Sequence, residues 1–221
     1  MRVSHRYRFV FLAYPRTASR SIRTLLAPYS DIRSVHSSRT SRKVPFYHHM
    51  PASEAKQVFD ANHWNWFDYH RFCIVRNPFA RIVSLYHHYL NMRSRIAPDL
   101  APTARLKAMV KYKLQPRLSF SDYVLRPDKM RKIAMPLEEF IHDVDGTCLL
   151  DDIIRFETIA EDLPRYLEGM GIYITPQQIP LMGSSDVRSY REYYNEATES
   201  FVRELYQYEI QRFGYHIDDL E

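Results

Sequence analysis

Glycine is scarce in this 221-residue sequence, which has only five. Any loop that holds phosphate here must do so without a glycine-rich backbone, and the GxxxxGK[ST] pattern is absent. Cysteine is scarcer still. Cys73 and Cys148 show no metal-ligand spacing, and Cys73 lies in the apolar run RFCIV, where it reads as a small buried hydrophobe. So few thiols fit a reducing compartment. No stretch approaches the ~20 apolar residues of a membrane helix. The apolar run at residues 9–14 is too short for the core of a signal peptide and has no cleavage pattern, so a soluble, cytoplasmic protein is expected. HExxH and comparable spacings are missing, and no metal is expected. Acidic side chains are nearly absent from the first fifty residues, one against ten basic.

The charge that is present is segmented. Net charge is +9 over residues 1–50, +1 over 51–90, +8 over 91–135 and −13 over 136–221. The basic segments attract polyanions: a nucleotide, a phosphorylated or sulfated glycan, or nucleic acid. Aromatic residues reach 14%, with 17 tyrosines. Their first reading is core and surface; their second is a cleft that stacks a sugar or a base.

Residues 8–14 (RFVFLAY) predict a buried strand, broken by Pro15, and residues 18–27 a helix. A second strand is expected at 31–35, a polar loop at 37–43 and a helix from Pro51 to about residue 59. A strand at 72–75 leads into a helix at 78–92. Segment 91–135 predicts a helical insertion over the active site, with pieces at 103–112 and 120–125. A strand at 152–156 precedes a helix at 158–170 closed by Gly169 or Gly171, and 190–213 reads as a long helical stretch. No repeat is evident. Strands alternating with helices predict an α/β fold: a mostly parallel sheet with helices on both faces, as a single domain over 1–221.

Two segments carry the chemistry. In the first, FVFLAY runs through Pro15-Arg16-Thr17-Ala18-Ser19-Arg20-Ser21 into IRTLL. A strand feeding a helix aims the helix's first N–H groups beyond the strand end, where an anion can sit. Hydroxyls and two arginines reinforce that reading; a plain helix cap with solvated arginines is the alternative. In the second, RFCIV ends at Arg76, whose fork of donors suits a phosphate. Ser84 reaches the same anion only if the chain folds back after Asn77-Pro78. A structural arginine satisfying buried carbonyls is the alternative.

These segments resemble the sulfotransferase superfamily, specifically the family-2 sulfotransferases that include carbohydrate O-sulfotransferases. The resemblance is carried by YPRTASRSIRTLL and RFCIVRNPFARIVSLYHHYL, whose RNPFxRxVSxY pattern is its most specific part. It continues in DDIIRFETIAEDLPRYLEGMGI and YREYYNEATESFVRELYQYEIQRFGY but not in 91–135. It implies a P-loop-like sulfotransferase fold and PAPS (3′-phosphoadenosine-5′-phosphosulfate) as co-substrate. The acceptor it implies is a hydroxyl on a saccharide or glycoconjugate. Arg16, Thr17, Ala18, Ser19, Arg20 and Ser21 would line the 5′-phosphosulfate, and Arg76 and Ser84 would hold the 3′-phosphate. A loop at 182–190 would close over the nucleotide, with Ser184, Ser185 and Arg188 in reach of it. The family usually has Lys at Arg16, and often Gly at Ala18 and Asn at Gly183. Arg keeps the charge but is planar. Ala18 predicts an unstrained loop with negative φ there.

A hydroxyl acceptor needs a base that works near neutral pH, and Phe46-Tyr47-His48-His49-Met50-Pro51 offers one. The position resembles the family's catalytic histidine. His49 is the first candidate, His48 the second and His36 a weaker third; His87 and His88 read as packed or solvent-facing. Arg16 would stabilise the sulfuryl oxygens. The basic run Arg105, Lys107, Lys111, Lys113 and Arg117 reads as a solvated helix face or a seat for an acidic acceptor. Three other classes stay open: a kinase-like P-loop protein, a nucleic-acid binder (no recognisable module supports it), and a non-catalytic nucleotide- or glycan-binding relative. Oligomeric state is not legible.

Overall fold

A computed structural model of the chain describes residues 1–94, 103, 106, 117–179 and 190–219. Five strands form one sheet in the order β3-β1-β2-β4-β5. They are β1 (Arg2–Ser4), β2 (Phe9–Leu12), β3 (Ile32–Arg33), β4 (His70–Val75) and β5 (Asp152–Arg155). β2, β4 and β5 pair in parallel, while β1 is antiparallel to both its neighbours. Four strands therefore run one way, giving the expected mostly parallel sheet. β1 was not legible; three residues carry too little periodicity to predict.

The helices among the described residues are α1 (Ser19–Leu25), α2 (Ala52–Ala61), α3 (Pro78–Ser94), α4 (Phe120–Val124), α5 (Pro127–Ile133), α6 (Leu137–Ile141), α7 (Ile159–Glu168), α8 (Glu196–Leu205) and α9 (Gln207–Phe213). They cover both faces of the sheet. On one face Val10, Leu12, Cys73 and Val75 pack with Ala55 and Phe59 of α2 and with Leu137 and Phe140 of α6. On the other, Phe9, Phe11, Phe72, Ile74 and Ile154 pack with Ile22 of α1 and with Ile159, Leu163 and Leu167 of α7. Strands covered on both sides need continuous apolar runs, which is why FVFL is buried at every position. A separate cluster joins α3, α4 and α8 through Phe79, Ile82, Phe120 and Val202.

Two expectations are refined. The stretch 190–213 is not one helix: a 3₁₀ turn (Tyr190–Tyr193) precedes α8, and Tyr206 separates α8 from α9. The first break comes from Asn195, whose side chain accepts from the Thr198 N–H while Thr198 bonds back, starting a new helix. After α7, it is Gly171 that takes the left-handed conformation, with φ of 74°. Its N–H bonds the Glu168 carbonyl and that of Ile172 the Leu167 carbonyl, closing the helix. The helical piece expected at 103–112 falls outside the described residues apart from Thr103 and Leu106.

The connectivity makes a crevice. The chain leaving β2 goes through α1 toward β3 on one side; the chain leaving β4 goes through α3 and on to β5 on the other. Ligands of open α/β sheets bind outside the carboxyl ends of the strands at such a switch point. Phe72, at the centre of β4, is fully buried against Phe11 and Tyr166. Phe72→Ala is expected to cost about 3–5 kcal/mol in urea unfolding. A loss below about 1 kcal/mol would contradict this packing.

Candidate active site

Strand register assembles the site. Leu12 pairs with Cys73, and Val75 with Arg155. One step past each strand, Arg76 therefore stands beside Phe156, with its guanidinium carbon 4.6 Å from the ring centroid. Phe156 was missed as a site residue, although the register of two adjacent strands identifies it. Arg76 itself is buried at the sheet edge.

The loop from β2 to α1 is tightly wound. The Tyr14 N–H bonds the Leu12 carbonyl at 3.1 Å, and the Thr17 hydroxyl donates to the Tyr14 carbonyl at 2.9 Å. Thr17 is thus turned inward and buried, its hydroxyl committed to the loop. Ser19 and Ser21, in the first turn of α1, are also buried, and Arg20 is exposed. Arg16 and Ala18 both adopt positive φ, 66° and 55°. The expectation of negative φ at Ala18 is overturned: the chain must reverse from strand to helix within a few residues, and Ala18 makes the last left-handed step as the cap of α1. Alanine there carries strain of about 1 kcal/mol that glycine would not.

Arg16 links the two segments that were separate in sequence. Its Nε lies 3.3 Å and its terminal nitrogen 2.8 Å from the Ser84 Oγ on α3. Burial lowers its pKa; Arg76 and Arg20 lower it further, and Tyr123 opposes them. Arg16, Arg20 and Arg76 therefore form one crowded cationic site, with Tyr123 as a neighbour not anticipated. Asn77 sets the direction of α3: its Oδ1 accepts from the Phe79 N–H at 3.0 Å, and its own N–H donates to Glu157 Oε1 at 2.8 Å.

The paired histidines are held differently. His48 Nδ1 lies 2.6 Å from an Arg23 nitrogen and 2.8 Å from the Ser34 Oγ. Arginine can only donate, so Nδ1 accepts and a neutral ring carries its proton on Nε2. His49 Nδ1 lies 2.6 Å from the Ala13 carbonyl, which can only accept. A neutral His49 is therefore protonated on Nδ1 and keeps the Nε2 lone pair. Desolvation pulls its pKa down to about 4; the Ala13 carbonyl opposes this, and neighbouring positive charges, Arg23 and Arg16 among them, add to it. His48 falls to about 4 by partial burial and then by Arg23. His36 bonds Ser38 within its own turn, and His87 bonds the Tyr193 hydroxyl. His88 is exposed, with its pKa lowered by partial burial and then by Arg16 and Arg20.

Gly183, Ser184, Ser185 and Arg188, and Arg105, Lys107, Lys111 and Lys113, lie outside the described residues. Among the described residues no cluster of three or more His, Cys, Asp or Glu is arranged to hold a metal ion, and no helix is long and apolar enough to cross a membrane.

Three arginines and a helix hydroxyl gathered at the switch point of a parallel sheet give this α/β protein a cationic site whose donors suit an anion. The chain belongs to the sulfotransferase family, whose model matches residues 1–216. Among solved structures it is similar to mouse sulfotransferase SULT7A1 complexed with PAP, at 15% identity and a TM-score of 0.44 over 94% of this chain and 85% of that chain. No curated protein matches it.

Ala18→Gly is expected to raise stability by about 1 kcal/mol in chemical unfolding, by relieving a left-handed alanine. His48 and His49 each titrate near 4 when folded against 6.5 when free. The unfolded chain then binds more protons, so their contribution to stability is complete above pH 6.5, falls with pH below it and levels off near 4. Unfolding midpoints measured from pH 7.5 to 4 should decline over that window, and less steeply for His49→Gln; identical slopes would refute the assignment.

Proposed function

We propose that this protein is a PAPS-dependent sulfotransferase that moves the sulfuryl group of PAPS to an acceptor hydroxyl on a carbohydrate. The observation that carries the proposal is His49, held by its Nδ1–H on the Ala13 carbonyl beside the Arg16–Arg76–Ser84 anion site. Its Nε2 is a neutral base at pH 7, oriented by a backbone group one residue before the loop begins to turn.

In this mechanism Arg76 and Ser84 grip the 3′-phosphate, and the backbone of residues 16–21 with the Arg16 side chain surrounds the 5′-phosphosulfate. Ser185 and Arg188 would close the site from their loop. Donor binding replaces the Ser84 hydroxyl as the partner of Arg16 with charged oxygens, which make stronger hydrogen bonds. Arg16 and the first N–H groups of α1 then stabilise the charge that moves onto the bridging and sulfuryl oxygens. His49 Nε2 takes the acceptor proton as the hydroxyl oxygen attacks sulfur in line with the departing phosphate. Anchoring the nucleotide at its far end lets binding energy position the sulfur for that attack. The insertion at 91–135 would cover the acceptor.

A basic ridge beside the histidines supports an acceptor with negative charge. Arg2 and Arg33 sit directly opposite each other on β1 and β3, a like-charge pairing that ordinarily destabilises a sheet. Arg2 Nε bonds the Arg23 carbonyl, and the Arg23 side chain reaches His48. Cations kept together against their repulsion suit a ligand that brings the opposite charge.

Turnover of radiolabelled PAPS with a panel of saccharides tests the assignment. His49→Ala is expected to lower kcat by at least about 100-fold while leaving the dissociation constant of PAP (the desulfated product) within about threefold. Full activity in that variant would remove His49 as the base. Arg76→Ala is expected to weaken PAP binding at least about tenfold in calorimetry, and unchanged affinity would refute its role. Salt should depress kcat/KM more steeply for anionic than for neutral saccharides; equal salt dependence would remove the role of the ridge.

A further inference from the structure

Behind the anion loop lies a buried ionic cluster that the mechanism above does not use. Arg81 of α3 and Glu209 of α9 are each at most 1% exposed, with 3.6 Å between an Arg81 terminal nitrogen and Glu209 Oε1. The Arg81 guanidinium is sandwiched between two rings, 4.3 Å from the centroid of Tyr14 and 4.7 Å from that of Tyr206. The Tyr14 hydroxyl lies 2.7 Å from the Met135 carbonyl and 3.0 Å from Glu209 Oε1. The Leu137 N–H donates to the same oxygen at 2.7 Å. Tyr206 is tied in turn to the Ala134 carbonyl at 2.8 Å.

The position of the cluster matters more than its strength. A buried ion pair is seldom a net source of stability, because desolvating both ions cancels most of their attraction. Its best-attested use is to fix one packing register among several, and the two elements it joins here are the halves of the anion site. Tyr14 stands two residues before Arg16 and receives the Thr17 hydroxyl on its carbonyl. Arg81 stands three residues before Ser84, on the same side of α3. Arg16 and Ser84 touch each other. The contacts thus close a ring: Tyr14 to Arg16 along the chain, Arg16 to Ser84, Ser84 to Arg81 along α3, and Arg81 back to Tyr14. Glu209 pins that ring from the C-terminal helix. The carbonyl that orients His49 belongs to Ala13, the neighbour of Tyr14.

We propose that Tyr14, Arg81 and Glu209 are positioning residues. They hold the β2–α1 loop in register with α3, so that the C-terminal helix sets the geometry of both the nucleotide anchor and the His49 base. A purely structural cluster would affect stability when cut and leave the site alone. A positioning cluster changes the site of a protein that still folds. Tyr14→Phe removes one hydroxyl and keeps the ring against Arg81, which makes it the sharpest probe.

The experiment compares wild type, Tyr14→Phe, Glu209→Ala and Glu209→Gln in thermal unfolding, in calorimetry with PAP and in ¹⁵N NMR of the histidine rings. The positioning role rests on the nucleotide reading only for the calorimetric arm, because the ring nitrogens of His49 report on the Ala13 carbonyl without any nucleotide. Tyr14→Phe and Glu209→Ala are expected to weaken PAP binding at least fivefold and to shift the His49 Nδ1 resonance toward that of a free ring. Glu209→Gln keeps an acceptor oxygen and is expected to restore most of both. A wild-type chain that fails to bind PAP overturns the nucleotide assignment, and the His49 resonances alone then decide the positioning role. Variants whose unfolding temperature falls while PAP affinity stays within twofold and the His49 resonances stay unmoved overturn the proposal. Should Glu209→Ala not fold, Tyr14→Phe, which removes only the hydroxyl on Met135 and Glu209, decides alone: displaced His49 resonances support the positioning role, and native ones overturn it.

Discussion

The parallel, in-register pairing of β2, β4 and β5 is the constraint on which the rest of the site depends. Three consecutive strands pointing the same way deliver Tyr14 and Pro15, Arg76, and Phe156 to one edge of the sheet. Nothing local to any of these residues would bring them together. A slip of one residue in β4 would turn Phe72 and Ile74 from one core to the other and carry Arg76 away from Phe156. The burial of both faces makes that slip costly, so the hydrophobic packing that stabilises the fold also fixes the spacing of the cations.

Placing several cations at one sheet edge has a cost that the fold absorbs rather than avoids. Arg16, Arg20 and Arg76 repel one another, and Arg2 faces Arg33 across the β1–β3 pair. Left-handed backbone at Arg16, Ala18 and His49 adds strain in the same small region. Large residues held in sparsely populated conformations need surroundings that over-determine them. Here those surroundings are the Thr17 hydroxyl on the Tyr14 carbonyl, the His49 ring on the Ala13 carbonyl and the Tyr14–Arg81–Glu209 cluster. Repulsion and strain concentrated where an anion would bind are what a pre-organised anion site requires: charged oxygens arriving there relieve the repulsion without the loop having to rearrange.

Much of this was legible beforehand, for identifiable reasons. RFVFLAY and RFCIV are continuous apolar runs, and parallel strands covered on both faces produce such runs, so β2, β4 and the helices after them could be placed within a few residues. RNPFxRxVSxY pointed to Arg76 and Ser84. The reading of Ala18 failed because residue type was taken to dictate the backbone, whereas the tight turn into α1 imposed the left-handed conformation and alanine accepts it under strain. The break between α8 and α9 was invisible because Tyr206 is a tolerable helix residue; the helix is interrupted by its backbone, which leaves the helical region at φ −115° and ψ 30°.

The sequence alone determined the α/β class, the two strand–turn–helix segments rich in arginine and hydroxyl side chains, and the histidine pair, because these depend on short-range periodicity and on residue types a few positions apart. Only the tertiary structure decided which nitrogen of each histidine carries the proton. That choice rests on partners 36 residues away for His49 and 25 away for His48. It also decided that Arg16 meets Ser84, 68 residues on, and that Glu209 reaches the base of the first loop, 195 residues from Tyr14. Contacts at such separations follow from strand register and helix packing, and no local pattern of side chains encodes them.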